Sequence, residues 1–213
     1  MSDIFREIDE ELRRDNLLKL WRLYGRYLIV AVVVALLVAG GIVAWRNHQL
    51  AQRQAQSVRY AAAMSLLRDG KDAEAGKVFS SVAGEGGGYA RLAEFEAADL
   101  AAKAGDAKAA SAAYDKLASS SDIDPELRDA ATLLSVMTGF ADSDPHAAID
   151  RLKPLTDSGN PWRPTALELT AAADLKLGDK TGALDIYKNL ADDLAAPEGV
   201  RGRAAEMAAV LAP

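Results

Sequence analysis

The stretch from Tyr27 to Trp45, YLIVAVVVALLVAGGIVAW, holds no Asp, Glu, Lys, Arg or His in nineteen positions. A helix of that length matches a bilayer core of roughly 30 Å at about 1.5 Å rise per residue, whereas the buried helix of a soluble domain is normally shorter or carries a polar face. The stretch reads as a transmembrane helix. Aromatics stand at both of its ends, Trp21, Tyr24 and Tyr27 at one and Trp45 at the other, where amphipathic rings favour the headgroup level. The competing reading is a cleavable secretory signal, with Ala39-Gly40-Gly41 as the cleavage site. Such a signal has a short basic leader and an apolar run of about 7–15 residues. Here the leader is 26 residues long and carries six acids, so a retained anchor is expected.

The flanks set an orientation. Residues 12–26 carry five bases (Arg13, Arg14, Lys19, Arg22, Arg26) and one acid, whereas residues 46–60 carry three bases, Arg46, Arg53 and Arg59. The excess favours a cytoplasmic N-terminus, and a long domain can be translocated regardless of its charge. The expected layout is a cytoplasmic amphipathic segment over 1–26, the membrane helix over 27–45, and a domain over 46–213 in the periplasm of a bacterium, anchored in its inner membrane. Residues 61–213 hold 16 Lys plus Arg against 25 Asp plus Glu, a net of −9. That balance excludes nucleic acid as a partner, because no basic surface is available to displace counterions from phosphates. The absence of cysteine excludes disulfides, thiol catalysis and thiolate metal sites.

Residues 3–22 have helical periodicity, with Ile4, Ile8 and Leu12 on one face. This face suits either a docking helix or an interfacial helix lying in the headgroups. Inside the anchor, Ala31, Ala35 and Ala39, and likewise Gly40 and Ala44, stand four apart, a spacing that permits close helix approach. From Arg46 to Asp69 there is no Gly or Pro, so the membrane helix is expected to continue unbroken and to hold the following domain upright.

The remainder repeats. Gly70, Ala75, Phe79 and Val82 share their spacing with Gly105, Ala110, Tyr114 and Leu117, with Ser143, Ala148, Leu152 and Leu155, and with Gly178, Ala183, Tyr187 and Leu190. The frames lie 35, 38 and 35 residues apart, and Ala63, Ala98, Val136 and Ala171 stand seven residues before them. A Gly at the frame start ends one helix in the left-handed conformation, and the polar residues after it (Lys71-Asp72, Asp106, Asp144, Asp179) cap the next. The small residues mark where two helices of a hairpin cross, and the Ala and aromatic or Leu lie one turn apart on a single face. Four helical hairpins are predicted, preceded in the later repeats by Pro125 and Pro161, with residues 197–212 as a capping helix.

This pattern resembles the tetratricopeptide repeat. It departs from it where Leu66, Ala101, Gly139 and Asp174 replace the usual first-helix aromatic, and where the third frame has Ser143 and Leu152 in place of Gly and an aromatic. The fold class is thus all-α: one transmembrane helix, then a tetratricopeptide-like solenoid of about four hairpins with a C-terminal cap.

No catalytic signature is present, and neither a cofactor nor a metal is expected. His48 and His146 are 98 residues apart and lack a second ligand at metal spacing. The cluster Gly84-Glu85-Gly86-Gly87-Gly88 has neither dinucleotide-loop nor phosphate-loop spacing. Asp192 and Asp193, adjacent on a helix, point apart and form no acid/base pair. What remains is binding, on the concave face lined by the first helix of each hairpin. The register places Tyr60, Met64 and Arg68, then Phe95, Asp99 and Lys103, then Leu133 and Met137, then Glu168 on that face. Aromatic and methionine side chains beside mixed charges suit a groove for varied apolar segments. For Tyr60, Phe95 and Leu133, core and groove are equally open, since both share one helical period.

The whole arrangement resembles the ancillary SecYEG translocon subunit family: a short charged N-terminus, one membrane helix running into Trp45-Arg46, a long helix, Tyr89-Ala90-Arg91-Leu92-Ala93 opening a second hairpin, and degenerate repeats after it. That resemblance implies an inner-membrane protein whose periplasmic domain meets the Sec translocon, periplasmic chaperones and unfolded or nascent polypeptides. A structural scaffold for a division or cell-wall complex is the alternative from a different class.

Overall fold

The computed structural model describes the backbone of residues 2–212 and, within it, the side chains of residues 24–27 and 29–212. The apolar face expected at Ile4, Ile8 and Leu12, and Trp21 with it, lie outside the described side chains. Among the described residues the chain is all-helical, and it forms two compact units, residues 1–55 and 56–213.

The first unit is helical from Ser2 onward and belongs to α1 (Ser2–Arg68). No proline interrupts this helix, which contains three glycines, Gly25, Gly40 and Gly41. From Ile29 to Val43 the apolar side chains point outward around the whole circumference, with Leu36 66% and Leu37 71% exposed. A helix apolar on every side has no polar face to offer water. Among the described residues, Tyr24–Arg68 is the one helix long and apolar enough to cross a membrane.

The second unit begins with the last turns of α1 and continues through α2 (Asp72–Ala83), α3 (Gly88–Lys103), α4 (Ala107–Ala118), α5 (Pro125–Gly139), α6 (Pro145–Leu152), α7 (Arg163–Leu177), α8 (Lys180–Asp192) and α9 (Glu198–Leu211). Successive pairs form four hairpins and α9 closes the series. All sixteen apolar positions that define the repeat frames are 3% exposed or less. All but Ala110 fall into four core clusters, each roofed by the first helix of the next hairpin, or by α9 in the last. A single hairpin cannot bury its own apolar stripe, so each one is completed by its successor.

The turns follow the same logic with one change. Gly70, Gly105 and Gly178 have φ of +72°, +85° and +85°, the left-handed conformation that an L side chain resists. Asp106 accepts a hydrogen bond from the Ala109 amide at 2.9 Å and Asp179 one from Gly182 at 2.9 Å; Asp144 caps α6 through His146 at 3.2 Å. The first frame differs: Asp72 lies inside α2, and the cap position, Lys71, makes no side-chain bond. The third hairpin departs most, as its sequence predicted. Pro154 ends the α-helical run, α6 is only eight residues long, and Leu155 reaches the core from a 3₁₀ turn over Lys153–Thr156.

Candidate protein-interaction surface

The predicted groove residues separate into three groups. Met64, Arg68, Asp99, Lys103 and Met137 keep accessible surface, Met137 at 46%. Tyr60 and Phe95 are half-buried and act as struts: the Tyr60 ring meets Phe79 edge-on with centroids 5.5 Å apart and Tyr89 at 5.7 Å, while Phe95 leans on Tyr114 at 6.0 Å. Leu133 is 3% exposed inside the third core cluster. It is a core residue and leaves the groove, because α6 and α7 close over the face of α5 that carries it. Glu168 is taken as well. Its carboxylate holds Arg203 of α9 in a two-pronged pair at 2.6 and 2.7 Å, a geometry that engages both oxygens. Asp99 and Lys103, one turn apart on α3, pair at 2.7 Å.

The surface beside these residues is acidic. The Tyr60 hydroxyl donates to Glu96 at 3.1 Å, and burial together with that carboxylate pushes its pKa up to about 12. Burial, then Asp99 and Glu96, push Tyr114 to about 12, and burial followed by Glu168 raises Tyr187. Burial raises the Asp174 carboxyl and Asp179 adds to it. The first helices of the hairpins thus present carboxylates beside the half-buried Tyr60 and the buried Tyr114 and Tyr187. This arrangement can hold polar and cationic groups of a polypeptide. Among the described residues no group of three or more His, Asp or Glu side chains is placed to hold a metal ion.

Three further features escaped the sequence reading, because each joins residues far apart in the chain. A groove of about 510 Å³ between α2 and α4, floored by α3, is lined chiefly by Ala83, Ala97, Ala98, Ala101, Ala109 and Ala113. A cleft of about 100 Å³ beside α4 to α6 contains Ser135, 1% exposed, whose hydroxyl donates to Asp115 at 2.6 Å while Arg151 bridges the two. A pocket of about 420 Å³ opens at the start of α5 beside Trp162. Alanine runs and isolated Ser or Trp residues carry no signal of their own at the level of spacing.

The architecture is shared with known proteins. Two crystal structures of nearly identical TPR-like repeats from Podosopora anserina, one of them a point variant, superpose with TM-scores of 0.57 and 0.56. Each has 14% sequence identity and covers 73% of this chain and 84% of that one, a likeness of fold. A search of curated protein sequences finds no match. The tetratricopeptide repeat-like domain matches residues 19–207. With its four hairpins, shared core frame and left-handed turn glycines, the chain belongs to the tetratricopeptide repeat-like domain family.

Proposed function

We propose that the protein is a membrane-anchored, non-enzymatic binding module that serves the Sec translocon as an ancillary subunit, holding newly translocated polypeptides and relaying them to periplasmic chaperones. The observation that carries this reading is the joining, in one chain, of an apolar helix exposed on every side to a stack of tetratricopeptide-like hairpins. The helix confines the domain to a membrane surface, and hairpin stacks work by presenting extended binding faces to polypeptides. The basic excess over residues 12–26 supports a cytoplasmic N-terminus, which puts the domain over 46–213 in the periplasm. There Met64 and Met137, unbranched and adaptable, offer contacts to varied apolar segments between the charges of Arg68, Asp99 and Lys103.

Affinity isolation of the full chain in mild detergent tests the proposal. Co-recovery of translocon components is expected, and recovery of the chain without any of them counts against it. A photoreactive residue at Met64 or Met137 should crosslink to many nascent chains; crosslinking to one fixed envelope protein would favour the scaffold reading instead.

A further inference from the structure

At the N-terminal edge of α5, Asp124, Pro125, Glu126, Leu127 and Trp162 line the open pocket of about 420 Å³. The Trp162 ring is fixed in place. Its Nε1 donates to the Glu126 carbonyl at 3.1 Å and its backbone N–H to Asn160 Oδ1 at 2.8 Å. The Asn160 amide in turn donates to Asp129 at 2.7 Å, and the indole packs against the core cluster that contains Leu133 and Leu152. Beside this ring stand two exposed carboxylates, Asp124 and Glu126, which make no hydrogen bond or ion pair through their side chains among the described residues. Asp124 occupies the cap position of α5 yet its side chain does not cap the helix.

In the turns that enter the second hairpin, the third hairpin and α9, one acid is held by an arginine of the preceding first helix: Glu85 by Arg59, Asp122 by Arg91 and Asp193 by Arg163. Asp124 and Glu126, just beyond Asp122, have no such partner among the described residues, and they stand beside an indole and an apolar floor of Pro125 and Leu127, the latter 37% exposed. No Lys or Arg lines the pocket.

We infer that this pocket binds a cationic side chain, arginine foremost, carried by an extended segment of a partner polypeptide. A guanidinium plane stacks on an indole and forks toward a carboxylate, which a lysine ammonium cannot do as well. Pro125 and Leu127 cover the aliphatic stem. The partial positive charge at the start of α5, about half a unit, is outweighed by the two carboxylates. The inference rests on the reading that this domain binds polypeptides, and it adds the chemistry of the residue recognised.

The test is calorimetric titration of the full chain in mild detergent with a short unstructured peptide of Ala and Leu carrying one Arg, and with its Gln counterpart. The Arg peptide is expected to bind at least tenfold more tightly, with the advantage shrinking as salt rises. Asp124→Asn and Glu126→Gln should each weaken it about threefold, and the double variant should erase the preference while circular dichroism stays unchanged. Equal binding of the two peptides, or an Arg preference that survives the double neutralisation, overturns the inference. Self-association lost in the double variant, without peptide binding, also overturns it, because the occupant would then be a second copy of the chain. No translocon component enters this titration, so its outcome is independent of the isolation experiment.

Discussion

Residues of the same chemical type in this chain have opposite energetic roles. Leu133 and Met137 lie one turn apart on α5, but Leu133 is sealed in the core and Met137 is 46% exposed. Leu133→Ala should therefore lower unfolding stability by about 2–4 kcal/mol through lost burial and a residual cavity. Met137→Ala should change it by less than about 0.5 kcal/mol, and urea denaturation of the two variants measures the contrast. Tyr60 adds a dependence on pH. Its pKa is raised from 10.0 to about 12 by burial and Glu96, so the folded state holds the phenolic proton more tightly than the unfolded chain. The stabilisation is complete below pH 10.0 and is lost as pH rises through about 12. Urea midpoints of wild type should fall across that window relative to those of Tyr60→Phe, which has no phenol to ionise.

At the scale of elements, the hairpins are set by their ends as much as by their faces. Gly178 ends α7 at φ +85°, where a Cβ costs about 1–2 kcal/mol. Gly84 ends α2 at φ −71°, and a Cβ there meets only ordinary van der Waals neighbours. Gly178→Ala should accordingly destabilise the protein by about 1–2 kcal/mol, whereas Gly84→Ala should be neutral or stabilising by up to about 1 kcal/mol; thermal unfolding of the two variants distinguishes them. The repeat frame made these element ends legible, since Gly70, Gly105 and Gly178 recur at fixed offsets from buried residues. The same frame leaves the first cap on the pair Lys71-Asp72, and the structure puts Lys71 at that position without a side-chain bond. Two polar residues, Lys71 and Asp72, compete for one position there, and spacing alone does not separate them.

At the scale of the molecule, successive hairpins are tied together by polar side chains at a repeat-like separation. Tyr60 reaches Glu96, Asp115 meets Arg151, Lys176 caps the Phe140 carbonyl, and Glu168 holds Arg203, each 35 or 36 residues apart. Exposed pairs of this kind contribute little each, but they fix the register with which one hairpin stacks on the next. The first unit carries the helix that is long and apolar enough to cross a membrane. Leu36 and Leu37 sit at the middle of the apolar run with 66% and 71% of their surface exposed. Changing both to Arg should cost about 2.5–3.5 kcal/mol each in the bilayer centre, so carbonate extraction is expected to leave wild type in the membrane pellet and release the double variant.

The sequence by itself determined the helical class, the four hairpins, the buried frame positions and the apolar helix, because each is written in a local period or an uninterrupted run. Only the tertiary structure decided which members of a shared helical face are groove and which are core. Leu133 was claimed by α6 and α7, Glu168 by Arg203 of α9, and Trp162 was placed beside two carboxylates that meet no base among the described residues. A single helix has one period for both of its apolar neighbours, solvent-facing and buried, so the distinction depends on which element arrives to cover it, and that is a property of the packed stack.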